Sequence, residues 1–196
     1  MDVEKLFSES PEFVTNRLYL RQLTLDDSED YFEFASDPEV TTYTMWETHK
    51  TIDDSRKYLN YVIDKYKNRQ AYHWGIVDIS TNKLIGRTGL IQWDINHQRT
   101  EIGFALSRKY WNKGIITEAT REIIKYSFKE LNVNRIEGRC NYDNTGSARV
   151  MEKLGMVFEG VLREQLKIKG SFKDQKMYSI LKSDYVSQFK EGSSFR

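Results

Sequence analysis

Apolar and polar positions alternate along Arg17–Leu23 (RLYLRQL), and that period of two predicts a strand. From Thr24 the period changes. Tyr31, Phe32, Phe34 and Ala35 recur at helical spacing up to Pro38, and Asp27, three residues after Thr24, completes a capping pair. Thr51 and Asp54 repeat that start signal ahead of a stripe of Tyr58, Leu59, Val62, Ile63 and Tyr66. Tyr72–Ile79 and Leu84–Trp93 read as strands joined by a turn over Ser80–Lys83, and Thr100–Leu106 as a third strand. Thr117–Leu131 reads as a helix with Ile123, Ile124, Phe128 and Leu131 on one side, beside Ile116. Arg135–Cys140 is a short strand. Asn144 is an N-cap for a helix running to Leu154, and Gly155 follows as its C′ residue. Met156–Ile168 and Phe172–Leu181 form a last hairpin across Lys169–Ser171. Residues 1–15 read as a loose lead-in and the tail from Val186 as frayed.

The resulting order, β-α-α-β-β-β-α-β-α-β-β, predicts an α/β (α+β) domain with a mixed sheet. No repeat and no Pro/Gly linker interrupts it, so residues 1–196 are expected to form one domain with its core over about 15–185. Aromatics make up 13% of the chain, enough for a sizeable core. The formal net charge of +1 argues against a surface committed to nucleic acid or to an acidic membrane. A single cysteine excludes an internal disulfide and suits a reducing compartment. With no long apolar segment in the sequence, a cytoplasmic location is expected. Monomer and homodimer both remain open.

No phosphate-binding G-x-x-x-x-G-K-[ST] motif and no G-x-G-x-x-G motif occurs. His49, His73 and His97 show no metal-ligand spacing with Cys140, so no metal is expected, and Cys140 in a strand reads as core. The chemistry points instead to residues 101–119, EIGFALSRKYWNKGIITEA. Here a strand feeds a loop with Lys113 and Gly114 and then a helix N-terminus. The first helical turn leaves N–H groups without partners, and the helix dipole favours negative charge there. A phosphate-bearing ligand is the expected occupant.

A second stretch, Asn141–Gly160 (NYDNTGSARVMEKLGMVFEG), completes a pattern. Glu101-Ile102-Gly103-Phe104-Ala105-Leu106, Trp111-Asn112-Lys113-Gly114, Thr117-Glu118-Ala119, Asn144-Thr145-Gly146-Ser147, Glu152-Lys153-Leu154-Gly155 and Glu159-Gly160 follow in order. Together they resemble the GNAT superfamily of N-acetyltransferases, and within it the RimJ/RimL-like branch that acetylates ribosomal-protein N-termini. The resemblance covers roughly Thr15 to Tyr185. It implies a mixed, mostly antiparallel sheet of about seven strands with a central parallel splay and about four flanking helices.

The resemblance further implies acetyl-CoA as co-substrate. Its thioester arm is expected along the backbone of Phe104, Ala105 and Leu106. Its pyrophosphate is expected on the N–H groups of Asn112, Lys113, Gly114, Ile115, Ile116 and Thr117. Two positions depart from the family's signature. Asn112 stands where a glycine is usual, and asparagine best tolerates a left-handed conformation. Ile116 is bulky, which fits only if its side chain enters the core.

The implied reaction is direct attack of a primary amine, either a protein N-terminus or a small amine, on the thioester. An α-amine of pKa near 8 is about 10% neutral at pH 7, and a lysine amine under about 0.1%. A base is therefore useful, and Glu101 is the candidate, acting directly or through water. Glu118, in the first helical turn, is a weaker one. Ser147 is expected to donate to the leaving thiolate, with Tyr142 as an alternative, while Asn144 orients the pantetheine or the acetyl group. Lys153 and Arg108 are candidates for the nucleotide phosphate. Tyr43, Trp46, His49 and Trp93 are positioned to line the acceptor side, and Asp174 to hold a substrate ammonium. A non-catalytic acyl-CoA sensor is the alternative reading.

Overall fold

The computed structural model describes residues 1–190. The chain opens with helix α1 (Val3–Glu9) and a two-residue strand β1 (Phe13–Val14), not with a loose lead-in. Val3 and Leu6 are buried, and the Phe7 ring packs 5.5 Å from Tyr72 and 5.9 Å from Trp93. Those contacts are far away in sequence. A seven-residue helix that turns two apolar side chains inward leaves almost no periodic signal.

Strand β2 (Leu18–Gln22) precedes a 3-10 turn at Leu25–Asp27, which runs into α2 (Ser28–Ala35), followed by the short α3 (Pro38–Thr41). Helix α4 (Ile52–Lys67) follows. The acids of both anticipated caps reach back as expected. Asp27 accepts from Thr24 N–H at 2.8 Å and Asp54 from Thr51 N–H at 3.0 Å. Next come β3 (Tyr72–Asp78), β4 (Lys83–Asp94) and β5 (Arg99–Leu106). Helix α5 (Ile115–Lys129) starts two residues before the expected Thr117. Strand β6 (Arg135–Asn141), helix α6 (Thr145–Lys153), and the hairpin of β7 (Val157–Ile168) and β8 (Ser171–Leu181) complete the sheet. Helix α7 (Lys182–Lys190) replaces the expected fraying from Val186, because Tyr185 is buried with its ring 5.1 Å from Phe128. Residues 191–196 of that expected tail lie outside the described residues.

The described residues thus hold eight strands in the order β1-β2-β3-β4-β5-β6-β8-β7, and seven α-helices. Every neighbouring pair is antiparallel except β5 and β6. This is the mixed sheet with a central parallel pair that the sequence motifs imply. The parallel pairing runs only from Arg99↔Arg135 to Ile102↔Gly138. Beyond it β6 stays with β8, while Gly103–Leu106 remain paired with β4 alone. The two strands part, and among the described residues one edge of Gly103–Leu106 is left without a strand partner.

Alternation assigns the two faces of β5. Ile102, Phe104 and Leu106 belong to the core cluster that takes in Ile115, Ile116, Ala119, Ile123 and Met151, so α5 and α6 cover that face. A Thr88–Thr120 hydroxyl hydrogen bond of 2.9 Å pins α5 to β4 there. Glu101, Gly103 and Ala105 point the other way, and Ala105 packs with Tyr31, Phe34, Leu59 and Val62 of α2 and α4. No described helix is long and apolar enough to cross a membrane.

Candidate active site

The parted strands lead to the loop between Trp111 and α5. Asn112 has φ of +59° and Gly114 of +74°, so two left-handed residues turn the chain sharply into the helix. Asparagine at 112 takes the conformation expected of it. The side chains of Ile115 and Ile116 are buried in the core, which leaves the helix's first N–H groups facing outward without intrahelical acceptors. Ile116 therefore fits the loop. The Trp111 indole N–H donates to Leu106 O at 2.9 Å and closes the end of β5.

Arg17 braces the loop from β2's entry. Its Nη1 donates to Lys113 O at 3.0 Å, and its Nε to Glu118 Oε2 at 2.7 Å. Thr15 Oγ1 donates to the other oxygen of Glu118 at 2.6 Å. Burial raises the Glu118 carboxyl, but these donors outweigh it and leave the group below its ordinary value. Glu118 thus holds the loop in shape rather than facing the parted strands.

Across the opening, Asn144 caps α6 by accepting from Ser147 N–H at 3.0 Å through Oδ1. Among the described residues, its Nδ2 and the Ser147 hydroxyl have no hydrogen-bond partner. Two half-buried donors therefore remain for a ligand. Tyr142 is 49% exposed, with Lys176 Nζ 4.7 Å from its ring centre.

Glu101 lies at the point where β5 and β6 part, and it is buried. Arg139 holds it with both prongs: Nε donates to Oε1 at 3.0 Å and Nη2 to Oε2. The pair raises the Arg139 guanidinium's pKa further, chiefly through the hydrogen bond to Glu101. Nothing in the linear sequence marks Arg139 as this partner. It becomes one through the β5–β6 register, which sets Glu101 opposite Glu137, two residues before Arg139 on the same face.

The α2–α4 face carries an aromatic cluster. Tyr31 stacks on Tyr58 at 4.9 Å, and Trp46 lies 5.3 Å from His49. His49 is buried, with Nδ1 2.8 Å from Ser55 Oγ, and burial lowers its pKa. Trp93 is not part of this wall. A bulge between Leu90 and Gln92 inserts an extra residue, so Gln92 faces Glu101 while Trp93 opposes Thr100 on the other face, against Phe7. Tyr43 is 38% exposed. Asp174 accepts from Glu164 N–H at 2.8 Å and closes an irregularity of the last hairpin. Arg108 pairs with Asp37 at 2.8 Å, and Lys153 is exposed. Cys140 is buried and its thiol is pushed up to about 11 by that burial, which suits a core residue. Arg87 of β4, likewise unmarked in the sequence reading, lies directly opposite Ala105 under the aromatic cluster.

A cavity of about 150 Å³ between α2 and the start of β4 is lined by Glu33, Lys83, Lys109 and Tyr110 among others. Its charges pair with one another, Glu33 with Lys83 at 3.0 Å and with Lys109 at 2.5 Å. It includes none of Gly103–Ala105.

A sheet opened at a parallel pair, with a left-handed turn into a helix N-terminus at its mouth and two donors across the gap, has the form of a coenzyme A-dependent acyltransferase. The model of the family described as acetyltransferase (GNAT) domain matches residues 17–157. The chain belongs to that family; it is an acetyl-CoA-dependent N-acetyltransferase. It is 36% identical over 172 residues to the uncharacterized N-acetyltransferase p20 of Bacillus licheniformis, covering 88% of this chain and 97% of the relative. A GNAT-family acetyltransferase structure from Bacillus anthracis superposes with a TM-score of 0.77 at 33% identity, covering 88% of this chain and 99% of that one. The ribosomal-protein-S5-alanine acetyltransferase of Vibrio fischeri shares the fold, with a TM-score of 0.73 at 23% identity over 89% of this chain and 98% of its own.

Proposed function

We propose that the chain acetylates a primary amine by direct attack on the thioester of acetyl-CoA. The observation that carries this reading is the unpartnered edge of Gly103–Leu106, which runs toward the Asn112–Thr117 turn and faces Asn144 and Ser147. An extended pantetheine arm adds to such an edge as a strand does. The pyrophosphate belongs on the N–H groups of the turn and the first helical residues. The amine's lone pair forms the new C–N bond as the C–S bond breaks. Ser147 donates a hydrogen bond to the departing sulfur, whose thiol pKa near 8.5 asks for little more. Asn144 Nδ2 is available to the pantetheine.

The amine's proton leaves through a water held by Glu101. A direct transfer is disfavoured because both carboxylate oxygens already accept from Arg139. A protein N-terminus, as in the RimJ/RimL-like branch, suits so tethered a base, because about a tenth of an α-amine is already neutral at pH 7. The same tether is what favours the sensor reading, in which acetyl-CoA binds without transfer.

Thiol release from acetyl-CoA over a panel of peptides, polyamines and aminoglycosides, run beside calorimetric titration of acetyl-CoA, tests both. Acceptor-dependent release is expected. Micromolar binding of acetyl-CoA with no acceptor raising release above background would hand the result to the sensor.

A further inference from the structure

Arg87 is a cation with no anion beside it among the described residues. It sits in a stretch of β4 where Leu84, Ile85, Gly86, Thr88, Gly89 and Leu90 are all buried. Its Nε lies 3.3 Å from the Tyr31 hydroxyl and its Nη1 3.4 Å from His73 Nδ1, while its guanidinium stands 5.4 Å from the centre of the Tyr58 ring. Burial depresses the pKa of His73 and raises that of Tyr31, so neither brings a negative charge to Arg87. Among the described residues no carboxylate pairs with Arg87, and Nη2 has no hydrogen-bond partner. Nη2 is also not among the buried polar atoms that lack one, so it keeps an opening. A half-buried guanidinium normally recruits a carboxylate, because an uncompensated charge is expensive to desolvate.

The position of Arg87 says what the vacancy is for. Arg87 and Ala105 are direct cross-strand partners, which places their Cα atoms about 5 Å apart and their side chains on one face. Ala105 belongs to the free edge assigned above to the thioester arm. The face they share is the α2–α4 face, walled by Trp46 and Tyr58 and opposite to the α5 side. An amine approaching the thioester from this face passes the guanidinium.

We propose that Arg87 is an acceptor-binding residue, and that the acceptor is a primary amine bearing a carboxylate a few bonds away. This rests on the acetyltransfer reading of the same site. The planar fork of arginine suits a carboxylate, and the Tyr58 ring beneath it fixes the fork's plane. The carboxylate comes either from the acidic first residue of a peptide or from a free amino acid.

The test is steady-state thiol release on matched acceptors that differ in one group: peptides beginning Asp or Asn, and free glutamate against its diamide. Wild type is expected to favour the carboxylate in at least one pair by tenfold or more in kcat/KM, and which pair shows it identifies the source. Arg87→Gln should abolish that preference while acetyl-CoA affinity stays unchanged, and Arg87→Lys should keep part of it. Thermal melts accompany the kinetics. A cation kept for a ligand can be lost with Tm unchanged or raised, whereas a structural arginine lowers it. Equal use of both members of each pair by wild type, or a preference that survives in Arg87→Gln, overturns the proposal. If no amine is acetylated at all, the transfer reading fails on its own account. Calorimetry with N-acetylglutamate then decides Arg87: saturable binding lost in Arg87→Gln supports the site, and no binding to wild type rejects it.

Discussion

Arg139 takes hold of both oxygens of Glu101 at the point where β5 and β6 part. A buried acid so held has two jobs, tying adjacent strands together and keeping a charge fixed beside the opening. Replacing it separates them. Glu101→Gln keeps the shape but leaves Arg139 without its counter-charge, which should cost about 3 kcal/mol, read as a lower urea midpoint. Where the variant is fully folded, kcat should fall about a hundredfold while the KM for acetyl-CoA stays put, as expected for loss of a proton acceptor. A kcat within threefold of wild type would reduce Glu101 to a strand tie.

The loop makes a sharper distinction between two neighbouring residues. Gly114, at φ of +74°, has room for a methyl group, since the nearest atom to an added Cβ is Arg17 Nη2 at 3.8 Å. The penalty for Gly114→Ala is therefore conformational, about 1–2 kcal/mol for a left-handed non-glycine residue. Because the loop relaxes to avoid it, the KM for acetyl-CoA should rise about tenfold with little change in kcat. Asn112→Gly, which only eases an already left-handed residue, should leave both constants within twofold. Equal damage from the two substitutions would mean the turn's geometry is not what holds the ligand.

Glu159 supplies a pH prediction. The hydrogen bond from Arg135, and then that from Ser179, pulls its carboxyl from the usual 4.5 to about 2. A depressed carboxyl stabilises the folded state above its unfolded pKa, and that contribution disappears as pH falls through its folded value. Wild type should therefore be more stable than Glu159→Gln at pH 6, and the gap should close between about pH 4.5 and 2. The side chain is 39% exposed, so solvent screening keeps the gap below about 1 kcal/mol. Urea midpoints of both proteins across pH 2 to 6 measure it, and a gap independent of pH would exclude the ion pair as its source.

What was legible in the sequence was local. Thr24 with Asp27, Thr51 with Asp54, and Asn144 ahead of Gly155 mark helix ends through bonds that span three or four residues. The loop could be placed for the same reason, since Asn112 and Gly114 state their own backbone needs. Contacts between distant segments were not legible. Helix α1 is held by rings more than sixty residues away, and Arg139 meets Glu101 only once a parallel register is set. Trp93, expected on the acceptor side, lies on the α5 face because one extra residue at the bulge between Leu90 and Gln92 reverses the alternation along β4. Arg87 is marked in the sequence only as a lone charged residue in the stretch Leu84–Leu90.

Ser147 carries the last prediction. Its N–H is consumed by the Asn144 cap at 3.0 Å, so only the hydroxyl is available, and no described residue accepts from it or donates to it. Removing that hydroxyl strands no partner and leaves the cap intact, so Ser147→Ala should fold normally. The turn proposed to hold the pyrophosphate, Asn112–Thr117, lies across the gap, so binding there should not change either. What remains is the bond to the departing sulfur that the proposed mechanism assigns to Ser147, which matters only as charge gathers there. A hydrogen bond to such a developing charge is worth about 1.5 kcal/mol, so kcat should fall about tenfold at constant acetyl-CoA affinity. Because the loss tracks leaving-group charge, it should shrink with an acyl donor whose thiol is more acidic. A large loss of acetyl-CoA affinity with unchanged turnover would instead make Ser147 a binding group, and would return the proton donor's role to Tyr142 on the same loop.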